Sequence, residues 1–325
     1  MTRPAAAARV LLCGFNNDTH IKWVADEIES LGGEPQILDL LGADAFSDHV
    51  KHRNGKVQVG DYELKNFVSV WNRLKIKLDP VFADREDRSR YLYEKEALHQ
   101  YRGLFEISED EGLLVANPGR ASYRAFHKPF QLRVAQKCGL NIPETLATNE
   151  LEKAVAFASR FPAVAVKVYD TPFIRGRDSE ANRYIFTNIF TAEKIAAIPA
   201  KQFSCSIILL QQYIEKEYEL RIVCGRRFCH AICINSQEFE ITSKDWRRSE
   251  ILPIYSAMQI ESEPILSLRN YLEAMGLEYG AFDFVVDPAG KCWFLECNPD
   301  GQWALAQKHT GQNIARSYAK MLLKL

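Results

Sequence analysis

The chain has no long hydrophobic run. Its longest apolar stretches, such as "SIILL" and "AVAV", fall far short of the roughly 20 residues that a spanning helix needs. No membrane segment is therefore expected. Charge of one sign is also missing: 41 Lys and Arg against 42 Asp and Glu leave a net −1, with no basic excess to suit nucleic acid or an anionic membrane. No fixed-period repeat or low-complexity tract appears, which excludes solenoids and arrays. Neither G-x-x-x-x-G-K-[ST] nor G-x-G-x-x-G occurs, so both common phosphate-cradling loops are excluded. The start, "MTRPAAAARVLLCGF", has too short an apolar core for a signal peptide and reads as a loose beginning followed by a first strand.

What is present suits a globular chain. Its 325 residues, 47% hydrophobic and 26% charged, allow two or three small domains or one large one. The eight cysteines lie mostly in apolar, strand-like runs, as small buried hydrophobes do in a reducing cytosol, so a cytoplasmic location is expected. Cys224, Cys229, His230 and Cys233 invite a metal reading. Strand alternation, however, is expected to put Cys229 and Cys233 on one side and Cys224 and His230 on the other, which argues against it.

"ARVLLCGF", "THIKWVADEIESLGG" and "EPQILDL" read as β-α-β, the helix closing at Gly32-Gly33. A ribbon and strand ("KVQVGDYELKNFVSVWNRLK") and a helix ("SRYLYEKEALHQYRGLFEI") complete a first α/β unit of about 115 residues. A turn-like linker, "VANPGR", leads to two helices, the strand "PAVAVKVYD" and a polar loop, "TPFIRGRDSEANR". Strands, a hairpin turning at Gly225, a helix, a second hairpin and a closing amphipathic helix follow. Strands outnumber what a doubly wound fold needs, so the second half is expected to be α+β.

The second hairpin, "GAFDFVVDPAGKCWFLECN", carries charge where a buried strand should be apolar. "DPAG" fits a type I turn. A four-residue loop there would pair Val286 with Lys291 and set Asp283 opposite Phe294, making Glu296 its diagonal neighbour. Alternation adds Asn298 to that face and sends Trp293, Leu295 and Cys297 to the other. Two carboxylates and an amide oxygen are hard donors suited to Mg²⁺. A carboxylate pair bridged by arginine explains them equally well.

Cations lie elsewhere in the chain. Lys167 sits in an apolar run and either snorkels, pairs with an acid or meets a phosphate. Lys128 precedes Pro129 at a helix start, where its charge opposes the helix dipole unless an anion is held by both; a solvated lysine is the simpler alternative. In "QQYIEKEYELR", a break in the strand leaves backbone near Gln212 to Ile214, Tyr213 included, free for an adenine edge. Glu219 could accept from ribose hydroxyls and Arg221 could fork onto a phosphate, or the two residues could belong to a cross-strand ion pair.

In order, Lys128, Lys167, "LLQQYI", "ELR", "FDF" and "FLECNP" resemble the ATP-grasp superfamily. Within it, the chain looks most like the graspetide (microviridin-type) peptide ligases along nearly its whole length. The likeness rests on "SVWNRLK" (Ser69 to Lys75), residues 115–149, "DWR" at 245–247, "NPDGQW" and the tail "TGQNIARSYAKMLL". It implies an α+β ATP-grasp fold with an N-terminal α/β pre-ATP-grasp domain: residues 1–115, a central subdomain 116–207 and a C-terminal subdomain 208–325, the last two gripping ATP. It also implies that Lys128 and Lys167 contact phosphates, Gln211 to Ile214 form the adenine hinge and Glu219 meets the ribose. Asp283, Glu296 and Asn298 would hold Mg²⁺, and Arg221 would steady the transferred phosphoryl group.

The implied reaction activates Asp or Glu side chains of an acidic precursor peptide, leader plus core, as acyl phosphates. A Ser or Thr hydroxyl or a Lys amine then displaces phosphate. No nucleic acid is expected; a homodimer is allowed. Arg175, Arg177 and Arg183 in the polar loop suit an acidic peptide, or are merely solvated. Arg73 beside Trp71 orients substrate or braces the domain junction, and Trp246-Arg247 leans toward the active site. Two departures stand out: Gln307 and Lys308 replace acids usual before the "TG" of the last helix, and the loop after Lys167 holds one glycine and three arginines. Ligation of a free amino acid or small metabolite, and a nucleotide-binding regulator without turnover, are the alternatives.

Overall fold

The computed structural model describes residues 7–41, 50–74, 88–169, 173–174, 183–184, 187–240 and 255–325. The first unit opens with β1 (Arg9–Cys13), α1 (Thr19–Ser30) and β2 (Glu34–Leu38), as the β-α-β pattern predicts. Asp18 caps α1 by accepting from the His20 backbone N–H. A three-stranded ribbon follows, β3 (Val50–Arg53), β4 (Lys56–Val59) and β5 (Tyr62–Glu63), then β6 (Phe67–Asn72), α2 (Arg88–Asp110) and β7 (Leu114–Ala116). Strands β2, β1, β6 and β7 form a parallel sheet in that order. On β1, Leu11 and Cys13 point to the side of α2 and the ribbon, whereas Val10 and Leu12 point to the side of α1.

The segment read as a linker is more structured than its turn signal suggests. β7 leads directly into α3 (Gly119–Ala125) and α4 (Lys128–Lys137). Next come β8 (Thr145–Thr148), α5 (Leu151–Ala158), β9 (Val164–Lys167), the short pair β10 (Phe173–Ile174) and β11 (Arg183–Tyr184), β12 (Asn188–Phe190), α6 (Ala192–Ala196), α7 (Ala200–Phe203) and β13 (Ile208–Gln212). A small sheet of order β12-β9-β13-β8 buries Val164 and Leu210 against α5, α6 and α7, with its own core of Phe157, Ile195 and Phe203.

The remainder is β14 (Tyr218–Gly225), β15 (Cys229–Ile234), β16 (Tyr255–Met258), α8 (Ser262–Met275), β17 (Tyr279–Val286), β18 (Cys292–Asn298), α9 (Ala304–Thr310) and α10 (Ile314–Leu322). Five strands in the order β16-β15-β14-β17-β18 make one antiparallel sheet. One face of this sheet (Leu220, Ile222, Phe282, Phe284, Phe294, Cys297) packs on α3, α4 and α8. The opposite face meets the first unit: Val223, Ile232 and Ala281 share a core with Val10, Leu12, α1 and α10. The amphipathic closing helix thus lies between the two large sheets, and Ser69 Oγ donates to the Leu322 carbonyl at 2.7 Å. Among the described residues, no helix is long and apolar enough to cross a membrane.

Two expectations need correction. Cys224 pairs with Cys229 across the β14–β15 hairpin and lies on the same face, because the turn shifts the alternation assumed from one continuous strand. His230 is on the other face, with Nε2 2.9 Å from Ser317 Oγ. No group of three His, Cys, Asp or Glu able to hold a metal occurs among the described residues. The β17–β18 register also differs: Val286 pairs with Cys292, Phe284 with Phe294, and a bulge then brings Asp283 opposite Glu296. The loop holds the predicted turn, with Gly290 N–H donating to the Asp287 carbonyl at 2.8 Å and Gly290 at φ +81°, but it is one residue longer than expected. Because the loop is one residue longer, Trp293 pairs with Val285 and faces the same side as Asp283, not the opposite one.

Candidate active site

Three neighbouring strands present one row of charge. Arg221 on β14 pairs with Asp283 on β17, which pairs with Glu296 on β18. Partnered residues point to the same side of a sheet, so the three side chains share a face, with Glu219 and Asn298 two residues along their strands. Arg221 Nη1 is 3.6 Å from Asp283 Oδ1, and its side chain is nearly buried. Lys128 Nζ approaches Glu296 Oε2 to 3.6 Å. Each carboxylate therefore has a cation beside it, which offsets the cost of holding two like charges directly opposite one another.

Lys128 reaches that position because α4 packs over β18. Its first residue is Lys128, with Pro129 in the first turn. Buried Gln131, one turn on, accepts from the Cys297 N–H at 2.7 Å and donates to the Ala125 carbonyl. The amide thus anchors α4 to the strand that carries Glu296.

A second polar row lies on the small sheet. Lys167 and Gln211 face away from the core that holds Val164, Val166 and Leu210. Lys167 Nζ donates to Gln211 Oε1 at 2.7 Å, and Gln211 Nε2 donates to Thr145 Oγ1 at 3.1 Å. At the end of β13, the Gln212 and Tyr213 N–H groups donate to the Glu144 and Ala163 carbonyls, so they are not free as expected. An adenine edge would have to bond what remains around Ile214. Glu219 Oε1 accepts from Lys216 Nζ at 2.6 Å, both side chains being nearly buried, so a ribose would share this carboxylate with a lysine that the sequence reading passed over.

The turn after Asn298 is tied to the first unit. Asn298 Oδ1 accepts from Asp300 N–H at 2.9 Å. Arg73, 1% exposed, donates through Nη1 to the Asp300 carbonyl at 2.6 Å and lies 3.5 Å through Nε from Asp18 Oδ2. That is the geometry of a brace. Burial alone would raise the Asp18 carboxyl, but the His20 hydrogen bond and the Arg73 charge outweigh it and hold it well below the usual carboxylate range. Asn117, fully buried, accepts from the Glu278 and Tyr279 N–H groups and donates to the Tyr279 and Pro299 carbonyls. Sequence reasoning missed Asp18, His20, Asn117 and Gln131, which nothing in the local sequence sets apart from their neighbours. Arg175, Arg177 and Arg247 lie outside the described residues, as does the side chain of Arg183.

The donor set fits Mg²⁺: two adjacent carboxylates and an amide on one face, hard oxygens with no soft ligand among them. Together, the antiparallel sheet bearing this row, the small lysine-bearing sheet and the N-terminal parallel unit make the fold that of the ATP-grasp ligases. No family model matches the chain, and no curated protein does. Solved structures do. A RiPP-associated ATP-grasp ligase from Chryseobacterium gregarium, in complex with ADP and a leader and core peptide, superposes with a TM-score of 0.81 at 22% identity, over 98% of this chain and 97% of that one. The macrocyclase MdnC from Microcystis aeruginosa MRC, bound with precursor peptide MdnA, gives 0.79 at 25% identity over 97% and 98%. The ATP-grasp ligase PsnB, complexed with a phosphomimetic variant of its minimal precursor, Mg and ADP, gives 0.75 at 18% identity over 98% of each chain.

Proposed function

We propose that this protein is an ADP-forming ATP-grasp ligase that joins Asp or Glu side chains of a ribosomal precursor peptide to Ser or Thr hydroxyls or Lys amines, closing rings. The observation that carries the reading is the Arg221–Asp283–Glu296 row with Lys128 beside it, set on a fold whose solved examples include peptide-bound ligases. The domain limits that go with it are 1–115, 116–207 and 208–325; in space, α3 and α4 of the middle stretch pack on the C-terminal sheet.

A carboxylate is a poor acyl donor because oxide is too basic a leaving group. Attack of the peptide carboxylate on the γ-phosphorus of ATP releases ADP and leaves an acyl phosphate. The hydroxyl or amine then attacks the acyl carbon and gives up a proton, and phosphate departs; the peptide loses one water per ring. Mg²⁺, when bound, neutralises charge on the phosphate oxygens during transfer. Asp283, Glu296 and Asn298 would hold it. Lys128 and Lys167 would orient the phosphates, and Arg221 would stabilise charge growing on the transferred group. Arginines 175, 177 and 247 are proposed to meet an acidic peptide.

Incubation with ATP, Mg²⁺ and a short acidic peptide encoded beside the gene tests the reading. ADP release with peptide mass falling in steps of one water is expected. Turnover of free amino acids without peptides, or no ADP with any carboxylate, would overturn it.

A further inference from the structure

Beyond the proposed ligands, the site depends on how the turn between Asn298 and Trp303 is held. Nothing in that turn is regular secondary structure, and one of the three candidate metal donors stands at its start. The Asn298 amide oxygen is oriented by the Asp300 N–H, and the Gly301 N–H returns to the Asn298 carbonyl at 3.3 Å. The turn also runs against Arg221: a Cβ built on Gly301 would collide with Ala281 Cβ and lie 3.2 Å from Arg221 Nη2. Any slip of the turn therefore moves both an oxygen donor and the arginine.

The other end of the turn is gripped by one side chain of the first unit. His20 Nε2 lies 3.1 Å from both the Trp303 and Ala304 backbone N–H groups, where it can only be an acceptor. The ring proton is consequently on Nδ1 and is donated to Asp18 Oδ1 at 2.7 Å. Ala304 begins α9, so the imidazole satisfies N–H groups that a helix start leaves without partners; no side chain of the N-cap residue, Trp303, does so. His20 is 4% exposed and stands edge-on to Trp303, with ring centroids 4.6 Å apart. Asp18 also faces Arg73, whose Nη1 holds the Asp300 carbonyl. The pair Asp18–His20 and Arg73 thus pin the turn at both ends.

We propose that His20, fixed in one tautomer by Asp18, is a positioning residue that sets the Asn298–Trp303 turn and so the affinity of the Asp283, Glu296, Asn298 site for a divalent cation. This rests on the proposed metal site, and acts through the turn, not through contact with the cation. Groups that orient ligands in this way typically change metal affinity 10–100-fold.

The test is binding of Mn²⁺ by the full chain with AMPPNP, read by electron paramagnetic resonance, alongside circular dichroism and a thermal melt. His20→Leu keeps the volume and loses the acceptor; it is expected to weaken Mn²⁺ about tenfold while staying folded. His20→Gln returns an acceptor oxygen near the Nε2 position and is expected to come within about threefold of wild type. Should His20→Leu not fold, Arg73→Lys, too short to span Asp18 and Asp300, is expected to weaken Mn²⁺ likewise. A folded His20→Leu or Arg73→Lys that binds Mn²⁺ as wild type does overturns the positioning role and leaves the metal site standing. Failure of the wild-type chain to bind Mn²⁺ with AMPPNP would overturn the site and the positioning role together.

Discussion

Asp283 and Glu296 are direct partners across the β17–β18 pair, and the bulge beside them is what makes them so. Two acids opposite one another destabilise a sheet unless cations flank them, and here the flanking cations differ in burial. Arg221 beside Asp283 is almost fully buried, whereas Lys128 beside Glu296 is about a quarter exposed. Asp283→Asn should therefore lower stability by about 1–3 kcal/mol, and Glu296→Gln by less than about 1 kcal/mol. If they hold the proposed divalent cation, both should reduce ADP formation on the order of a hundredfold or more, since such an ion supplies several kcal/mol of charge stabilisation. Urea denaturation and a coupled ADP assay separate the two effects; equal stability losses would contradict the burial difference.

Gly301 has no room for a side chain. Gly301→Ala would press on Ala281 and crowd Arg221, and it is expected to cost about 1–3 kcal/mol as an overpacked position. Its melting temperature should fall and ADP formation should drop with it, whereas Gly290→Ala, with open space around it, should affect stability through its φ of +81° and leave turnover alone.

Lys167 Nζ donates to the Gln211 amide oxygen at 2.7 Å. Lys167→Met loses that charged hydrogen bond and should lower stability by about 1–3 kcal/mol. If the lysine meets phosphate, the KM for ATP should rise about tenfold or more. An unchanged KM with a lowered melting temperature would mark a purely structural lysine.

His230 gives a pH signature. Burial lowers its pKa below the ordinary histidine value. The unfolded chain therefore takes up a proton near pH 6.5 that the folded chain refuses, and stability must fall as pH drops from about 6.5 toward the folded value. Melting curves from pH 7.5 to 5.5 should show a shallower slope in His230→Gln than in wild type. Parallel slopes would mean that the imidazole is not held neutral.

Much of this was legible along the chain. Period-two alternation put Asp283, Glu296 and Asn298 on one face, and a first-turn proline put Lys128 at a helix start. The register was not legible, because a bulge leaves no mark in apolar alternation: Leu295 looks like any other strand residue. The same limit hid the Cys224–Cys229 pairing across a hairpin turn. Backbone hydrogen bonds were equally hidden, as the Gln212 and Tyr213 N–H groups show. Lone polar residues such as His20, in the first turn of α1, and Asn117, between β7 and α3, carry no pattern at all; their long-range partners are 161 to 284 residues away, and only the folded chain reveals them.

The closing helix wedged between the two large sheets bears on the order of assembly. During synthesis, Val10, Leu12 and Trp71 emerge long before Tyr318 and Leu322, which complete their apolar surroundings. One side of the early parallel sheet must stay incompletely covered until Tyr318 and Leu322 have left the ribosome, which makes it a natural surface for a chaperone to guard.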